Sequence, residues 1–377
     1  MQKNLLFVFV LLFILLFSHP SMAYVDYPYA SLMQTFRRPL IPLEESLKEK
    51  DSYSARVSVR WMNVWAYSQN RYIVDGEEVQ TEGTVKYSWS KRLTTGFAVP
   101  IVHQGGGILD GGIESFHRAT DVSQNQRDNF KRNTLNVSYE PFGRYYPLID
   151  QDLVSTYKRL NQTRTYPRQE MDPPLTLEEV KNSYVRSYFA YLYPELVRDN
   201  KTEIIGLHAT DRTEMSNSRF FSEYKIYQSP RFLLYGGVQF KIPSKTIPFM
   251  STPGWDKSVY LVHVAELGRH FSLKNGFSYT SFEYVDFPYL KLPREQWVYR
   301  SSLEYRFKKR ITLLGEYLVF SRPVYNMGKL ATPGHMVTFG VGAQTDSGKL
   351  TVAVIEDIIN YNNTADIGFM ASFESSI

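Results

Sequence analysis

Along most of the chain apolar and polar residues alternate one by one, the period at which a β-strand sends its side chains to two opposite faces. From 53 to 61, Tyr53, Ala55, Val57, Val59 and Trp61 fall on one face, and Ser54, Arg56, Ser58 and Arg60 on the other. From 296 to 307, Trp297, Tyr299, Leu303, Tyr305 and Phe307 oppose Gln296, Arg300, Ser302, Glu304 and Arg306. The same alternation marks 79–90, 93–103, 132–140, 217–228, 231–242, 256–267, 270–284, 310–321, 334–345, 348–358 and 365–373, and more weakly 145–158, 184–196 and 202–210. One face carries Val, Leu and aromatic rings while the other carries several arginines. That contrast predicts strands with hydrocarbon on one side and water or ion pairs on the other.

The connections fall into two classes. Lys91-Arg92, Ser229-Pro230, Gly268-Arg269-His270, Lys308-Lys309-Arg310 and Asp346-Ser347-Gly348 are short; they alternate with 67–78, 104–131, 243–255, 285–293, 322–333 and 359–364, which are mostly longer. Outer-membrane barrels have short periplasmic turns and longer external loops. The fold expected is therefore all-β, a transmembrane antiparallel β-barrel of about 14 strands (12 to 16 allowed), with a short helix in one long loop. Residues 141–201, with Pro167, Pro173-Pro174 and a helix-like 175–183, break the rhythm and read as an irregular insertion. The alternative is a soluble sandwich or lectin-like domain, in which the apolar face turns inward.

At the amino end Lys3 precedes an apolar run from Leu5 to Phe17, and Ser21-Met22-Ala23 supplies small residues for cleavage. Residues 1–23 thus read as a signal peptide, 24–51 as an amino-terminal periplasmic extension and 52–377 as the barrel. The apolar run is too short to span comfortably as a helix, and beyond it nothing approaches the roughly 18 apolar residues a spanning helix needs. Entry into a membrane then requires strands. Asp366, Gly368, Ala371 and Phe373 form a terminal strand that resembles the carboxyl-terminal assembly signal of outer-membrane barrels, although Glu374-Ser375-Ser376-Ile377 runs on past it. The address is the bacterial outer membrane, with its lipid and its barrel-assembly machinery as partners.

Composition adds three constraints. The 28 tyrosines and 24 phenylalanines suit aromatic girdles at the two membrane boundaries. With no cysteine, disulfide scaffolds and thiol catalysis are excluded. The net charge of +5 is spread without a basic block, so nucleic acid is not an expected partner.

Candidate chemistry lies on the inner face and in one loop. Arg56, Arg60, Lys86, Glu223, Lys225, Arg300, Glu304 and Arg306 are lumen-lining candidates; with Lys241, Glu82 and Glu316 they give a slightly basic lumen. The 104–131 loop begins at Gly105-Gly106-Gly107 and continues into a stretch where Ile108, Ile113, Phe116 and His117 lie at the spacing of one helical face. Folded into the lumen it forms a constriction involving Gly105, Gly106, Gly107, Asp110, Glu114 and His117, the two acids meeting Arg56, Arg60 or Arg300; the alternative is an external cap. No Gly-x-Ser-x-Gly or phosphate-binding glycine pattern occurs, the seven histidines lack metal-ligand spacing, and His208 with Asp211 reads as an exposed pair. No catalytic residue, metal or cofactor is assigned.

The stretch from Val99-Pro100-Ile101 through Gly105-Gly106-Gly107 and Asp110-Gly111-Gly112 to Phe116-His117 resembles the hallmark of a bacterial outer-membrane family catalogued as domain of unknown function 3187. The likeness extends to Arg38-Pro39-Leu40-Ile41-Pro42, the acidic turn Asp75-Gly76-Glu77, Glu356-Asp357-Ile358 and Asp366, with 141–201 outside it. The resemblance implies an outer-membrane protein and carries no activity. The expected function is a channel or uptake path for small solutes. The alternatives are a closed structural or envelope-assembly barrel displaying external loops, and an outer-membrane hydrolase or acyltransferase.

Overall fold

The computed structural model describes residues 51–68, 72–120, 126–139, 211–243, 252, 254–283, 286–287, 290–308, 310–325, 328–357 and 366–376. The amino-terminal half contributes β1 (Ser52–Ser68), β2 (Tyr72–Ser88), β3 (Leu93–Gly105), helix α1 (Asp110–Thr120), β4 (Asn136–Tyr139), β5 (Arg212–Met215), β6 (Arg219–Ser229) and β7 (Phe232–Lys241). The rest follows as β8 (Lys257–Leu267), β9 (Phe271–Ser281), a small hairpin β10 (Asp286–Phe287) and β11 (Leu290–Lys291), β12 (Glu295–Lys308), β13 (Ile311–Phe320), β14 (Gly334–Gln344), β15 (Lys349–Asp357) and β16 (Ile367–Ser376).

Among the described residues twelve strands form a ring of antiparallel neighbours, in the order β1, β2, β3, β6, β7, β8, β9, β12, β13, β14, β15, β16. The ring closes where β1 pairs with β16, from Ser54 opposite Ser376 to Asn63 opposite Ile367. Among the described residues closure gives each of the twelve strands a neighbour on both sides, the condition for strands to lie in hydrocarbon. β4 continues beside β2 above the point where β3 ends, and β5 pairs with the upper part of β3 before 216–218 lead into β6. Twelve is the lower end of the range the alternation allowed. The stretch expected at 132–140 contracts to β4; the weak candidates 145–158, 184–196 and 202–210 and the 141–201 insertion lie outside the described residues.

The outer connection expected at 67–78 is replaced by more strand. β1 and β2 stay in register from Ser52 opposite Ser88 to Ser68 opposite Tyr72, so Asp75, Gly76 and Glu77 are strand residues rather than an acidic turn. About 9–11 tilted residues cross a bilayer, and the remainder of each 17-residue strand rises above it. Pairing continues there because Met62, Val64, Trp65, Ala66 and Val74 are buried, on both faces of the hairpin.

Side-chain direction settles which face is which. Val57 is 52% exposed, and Val59, Val85, Leu303 and Val341 are exposed too, while Ser54, Arg56, Ser58, Arg60, Ser302 and Glu304 are buried. Apolar side chains outside and charges inside is the reverse of a soluble sheet protein, so the sandwich alternative is excluded. Near the short-turn end Tyr87 meets Tyr53 at a tilt and Trp89 edge to face, each with centroids 4.7 Å apart, and Phe271 meets Tyr305 at 4.8 Å, as a girdle at the membrane boundary would.

Leu303 stands halfway along β12 and Phe307 at its short-turn end. Replacing Leu303 with arginine is expected to cost about 2–4 kcal/mol, and the same change at Phe307 about 0–1, because the penalty for a lipid-facing cation falls toward the interface. Reversible unfolding from lipid vesicles measures both; equal penalties would contradict the assigned membrane depth.

Candidate functional site

The lumen is built from cation–carboxylate pairs that follow from register. Directly opposite residues in β1 and β2 are Arg60 with Gln80 and Ser58 with Glu82, which leaves Arg60 and Glu82 as diagonal neighbours 3.7 Å apart. Long side chains reach across such diagonals. Arg300 meets Glu316 at 2.6 Å and Lys274 meets Glu304 at 2.7 Å by the same offset.

Other pairs step over a whole strand where it carries little side chain. Arg219 of β6 reaches Glu82 of β2 at 2.5 Å across Ala98 and Pro100 of β3. Lys86 lies 4.0 Å from Glu223 and 5.8 Å above the ring of Phe221, which itself covers Gly96 so closely that a Cβ there would come within 2.1 Å. Tyr260 likewise crosses Gly237 to donate its hydroxyl to Glu223 at 2.9 Å. Lys241 pairs with Asp256 at 2.6 Å nearer the outer end, and Gln104 donates to Glu78 at 3.1 Å.

Of the residues singled out from sequence, Arg56, Arg60, Lys86, Glu223, Arg300 and Glu304 are buried inside the ring. Lys225 and Arg306 stand at the short-turn end, beside strand irregularities; Lys225 donates to Gln228 at 2.7 Å and Arg306 to Glu266 at 2.7 and 2.9 Å. The inner face stays slightly basic, by less than the expected residues alone would give. Arg219, Lys274 and Lys349 join the buried cations, Glu78, Asp256 and Asp357 join the acids, and the two charges come close to cancelling. Arg60 and Glu82 are 0% and 1% exposed, so the central charges have exchanged water for one another.

The long loop after β3 does something different from the constriction expected of it. In β1 and β2 the odd-numbered positions point outward, as exposed Val57, Val59 and Val85 do, and the register carries this parity without a break up to Asn63, Trp65, Asp75 and Glu77. Those four outward residues are buried, and their partners come from residues 108–134. The loop therefore covers the outside of the β1–β2 wall.

Gly107 makes the crossing. It has φ of +66°, and a Cβ would fall 1.8 Å from the Glu77 side chain, so only glycine brings the chain over β2 here. Glu77 then accepts the amides of Ile108, at 2.8 Å, and Leu109, together with the indole of Trp61 at 2.6 Å. Gly105 ends β3 and Gly106 packs against the Asn133 carbonyl.

In α1 the buried stripe is Asp110, Ile113, Glu114 and His117. The expected apolar face is corrected: Ile108 precedes the helix and is 64% exposed, and the acids are held by the loop's own arginines instead of Arg56, Arg60 or Arg300. Arg127 binds Asp110, donates to Asp366 at 2.7 Å and to Asn63 at 2.8 Å, lies 4.0 Å from Asp75 and stacks 5.6 Å over Trp65. Asn63 in turn donates to Asp110 at 3.0 Å, and Phe130 closes on Trp65 and Tyr67 at 5.1 and 4.9 Å. Glu114 is held by Arg132.

Asp366 was singled out as part of an assembly signal with Gly368 and Phe373. It lies just before β16 in contact with Arg127, while Gly368 is buried opposite Met62, and Phe373 sits opposite Val57 and Leu350. Sequence reasoning missed Arg127, Asn63 and Trp65. The available signal was polar Asn63, Asp75 and Glu77 at outward parity, positions that must either clear the membrane or be covered.

Residues 21–147 and 207–376 match the family described as Protein of unknown function (DUF3187). The chain belongs to this family. Among curated proteins no sequence matches it. Among solved structures, the COG4313 outer membrane channel from Pseudomonas putida F1 is similar with a TM-score of 0.51 at 8% identity, covering 89% of this chain and 100% of that one. The KdgM porin gives 0.38 at 7% identity over 86% and 99%, and the Ralstonia pickettii toluene transporter TbuX 0.37 at 10% over 87% and 90%. The first of these shows that the DUF3187 chain has the fold of an outer-membrane barrel.

Burial raises the Asp366 carboxyl to about 8, against the pull of Arg127, and burial with the nearby Arg127 charge lowers His117. Above the ordinary histidine value of 6.5 the acids are left to titrate, Asp366 and with the same sign Asp75, which burial and then the Asp110 charge raise to about 7. The docked loop then binds more protons than the released one, so docking weakens as pH rises toward 8 and levels beyond it. Hydrogen exchange of α1 amides, corrected for intrinsic rates, should accelerate over that interval and do so less in Asp366→Asn. An unchanged slope in the variant would contradict the assignment.

Proposed function

We propose that this barrel is a channel for small solutes across the bacterial outer membrane, shut at mid-height in this state by its own ion pairs. The observation that carries the reading is the lumen. A wall whose inner face holds Arg60, Glu82, Arg219, Lys274, Glu304, Arg300 and Glu316 spends many buried charges where an apolar filling would serve a purely structural barrel better. Near cancellation of those charges argues against strong selection for anions and in favour of polar solutes of either sign. Similarity to an outer-membrane channel supports the same reading. Export through residues 1–23, a periplasmic extension over 24–51 and an insertion over 141–201 belong to this proposal, as do passage through the barrel-assembly machinery and use of Asp366, Gly368 and Phe373 as its signal.

One observation favours the rival, a closed structural barrel. The central side chains are packed against one another with almost no exposure. Single-channel recording in planar bilayers separates the two. Replacing Arg60, Glu82 and Arg219 together by alanine removes the cluster without leaving an unpaired charge among them, and conductance is expected to rise severalfold over wild type. Absence of conductance in both proteins, with the barrel folded, would assign the structural role.

A further inference from the structure

The outer flank of the barrel carries a group of cations that no part of the lumen uses. Arg118 on α1 is 58% exposed and lies 4.0 Å from Glu114; Arg132 is 53% exposed and binds the same carboxylate oxygen of Glu114. Lys131 is exposed beside them. Two arginines therefore meet at one buried acid with an exposed lysine beside them, and an excess of positive charge faces outward. Their height is set by Trp65 and Asp75, which line the same crevice as Glu114, Lys131 and Arg132. Trp65 stands above Trp61 on β1 by about 13 Å of strand at roughly 3.3 Å per residue, less once the strand's tilt is counted. Below Trp61 the wall is exposed Val59 and Val57, and exposed Ile108 is anchored at the level of Glu77, between the two heights.

We propose that Arg118, Lys131 and Arg132 form a binding site for the phosphorylated headgroup of an outer-leaflet glycolipid, with an acyl chain lying along Ile108 and the wall beneath. Apolar surface, a boundary tryptophan and then a cation cluster reproduce, in order, the layers of such a lipid: chains, interface, phosphate. A guanidinium pair offers several N–H donors in fixed planes, the geometry phosphate oxygens accept best. Glu114 holds both arginines at the surface without neutralising the group. Because the loop is tied to the wall through Arg127 and Glu77, the site is presented at a fixed height rather than on a free loop.

Native mass spectrometry of the full chain in mild detergent, titrated with bisphosphorylated lipid A, tests this. Each cation near an anionic surface contributes roughly a fivefold gain in affinity. The triple variant Arg118→Gln, Lys131→Gln, Arg132→Gln should bind about a hundredfold more weakly, by the same reckoning. Dephosphorylated lipid A should bind wild type as weakly as lipid A binds the variant. Lys257→Gln, which removes an exposed cation at the outer end of β8, should leave affinity unchanged. If the triple variant fails to fold, Arg118→Gln and Lys131→Gln alone should each show the smaller loss. Equal binding of both lipids by wild type, an equal loss in Lys257→Gln, or full competition by millimolar inorganic phosphate would overturn the proposal.

Discussion

Everything in this molecule depends on one constraint: a backbone in hydrocarbon must satisfy every N–H and C=O within the protein, and strands achieve this by closing into a ring. Once β1 finds β16, each residue's side is fixed by parity, because a one-residue slip would turn Val57 and Val59 inward and Arg56 and Arg60 into lipid. Summed along the strand, that penalty exceeds what any single contact in the interior contributes. Register is thus held by the outside of the barrel, and the lumen inherits its geometry.

The lumen makes use of that inheritance. With alternate positions committed, charges can meet only along diagonals or across strands that have small residues to step over, and Gly96, Ala98, Pro100 and Gly237 provide those crossings. A buried ion pair gives back in attraction only part of what desolvation takes, whereas one partner left alone is strongly destabilising. The interior is therefore a set of mutually dependent pairs, with Glu82 shared by Arg60 and Arg219 at its centre.

Strand existence, facing and most turns were legible in the sequence because period two is a local property. Trp297, Tyr299 and Leu303 announce their side without knowledge of any neighbour. Which charges pair was not legible, since Arg219 and Glu82 are brought together by a ring closure spanning the chain. The loop was misread for a related reason. Ile113 and His117 mark a helical face, but the partner of that face depends on where Gly107 sends the chain, and the buried stripe includes the acids Asp110 and Glu114 because Arg127 and Arg132 arrive from further along. Asn63, Asp75 and Glu77, polar at outward parity, held the missing information, and it becomes readable only once β1 and β2 are known to continue past the membrane.

Parity continues unbroken along β1, and the loop lies on its outer side. The chain has no cysteine, so single cysteines can be placed at each position from 57 to 66 and carry a nitroxide label. Collisions with oxygen and with a polar relaxation agent should mark 57, 59 and 61 as outward, and should be suppressed at 63 and 65 while the loop is present. When 108–133 is replaced by a short linker, 63 and 65 should become accessible while 62 and 64 do not change. Gain of access at 62 and 64 instead would place the loop in the lumen and contradict the account.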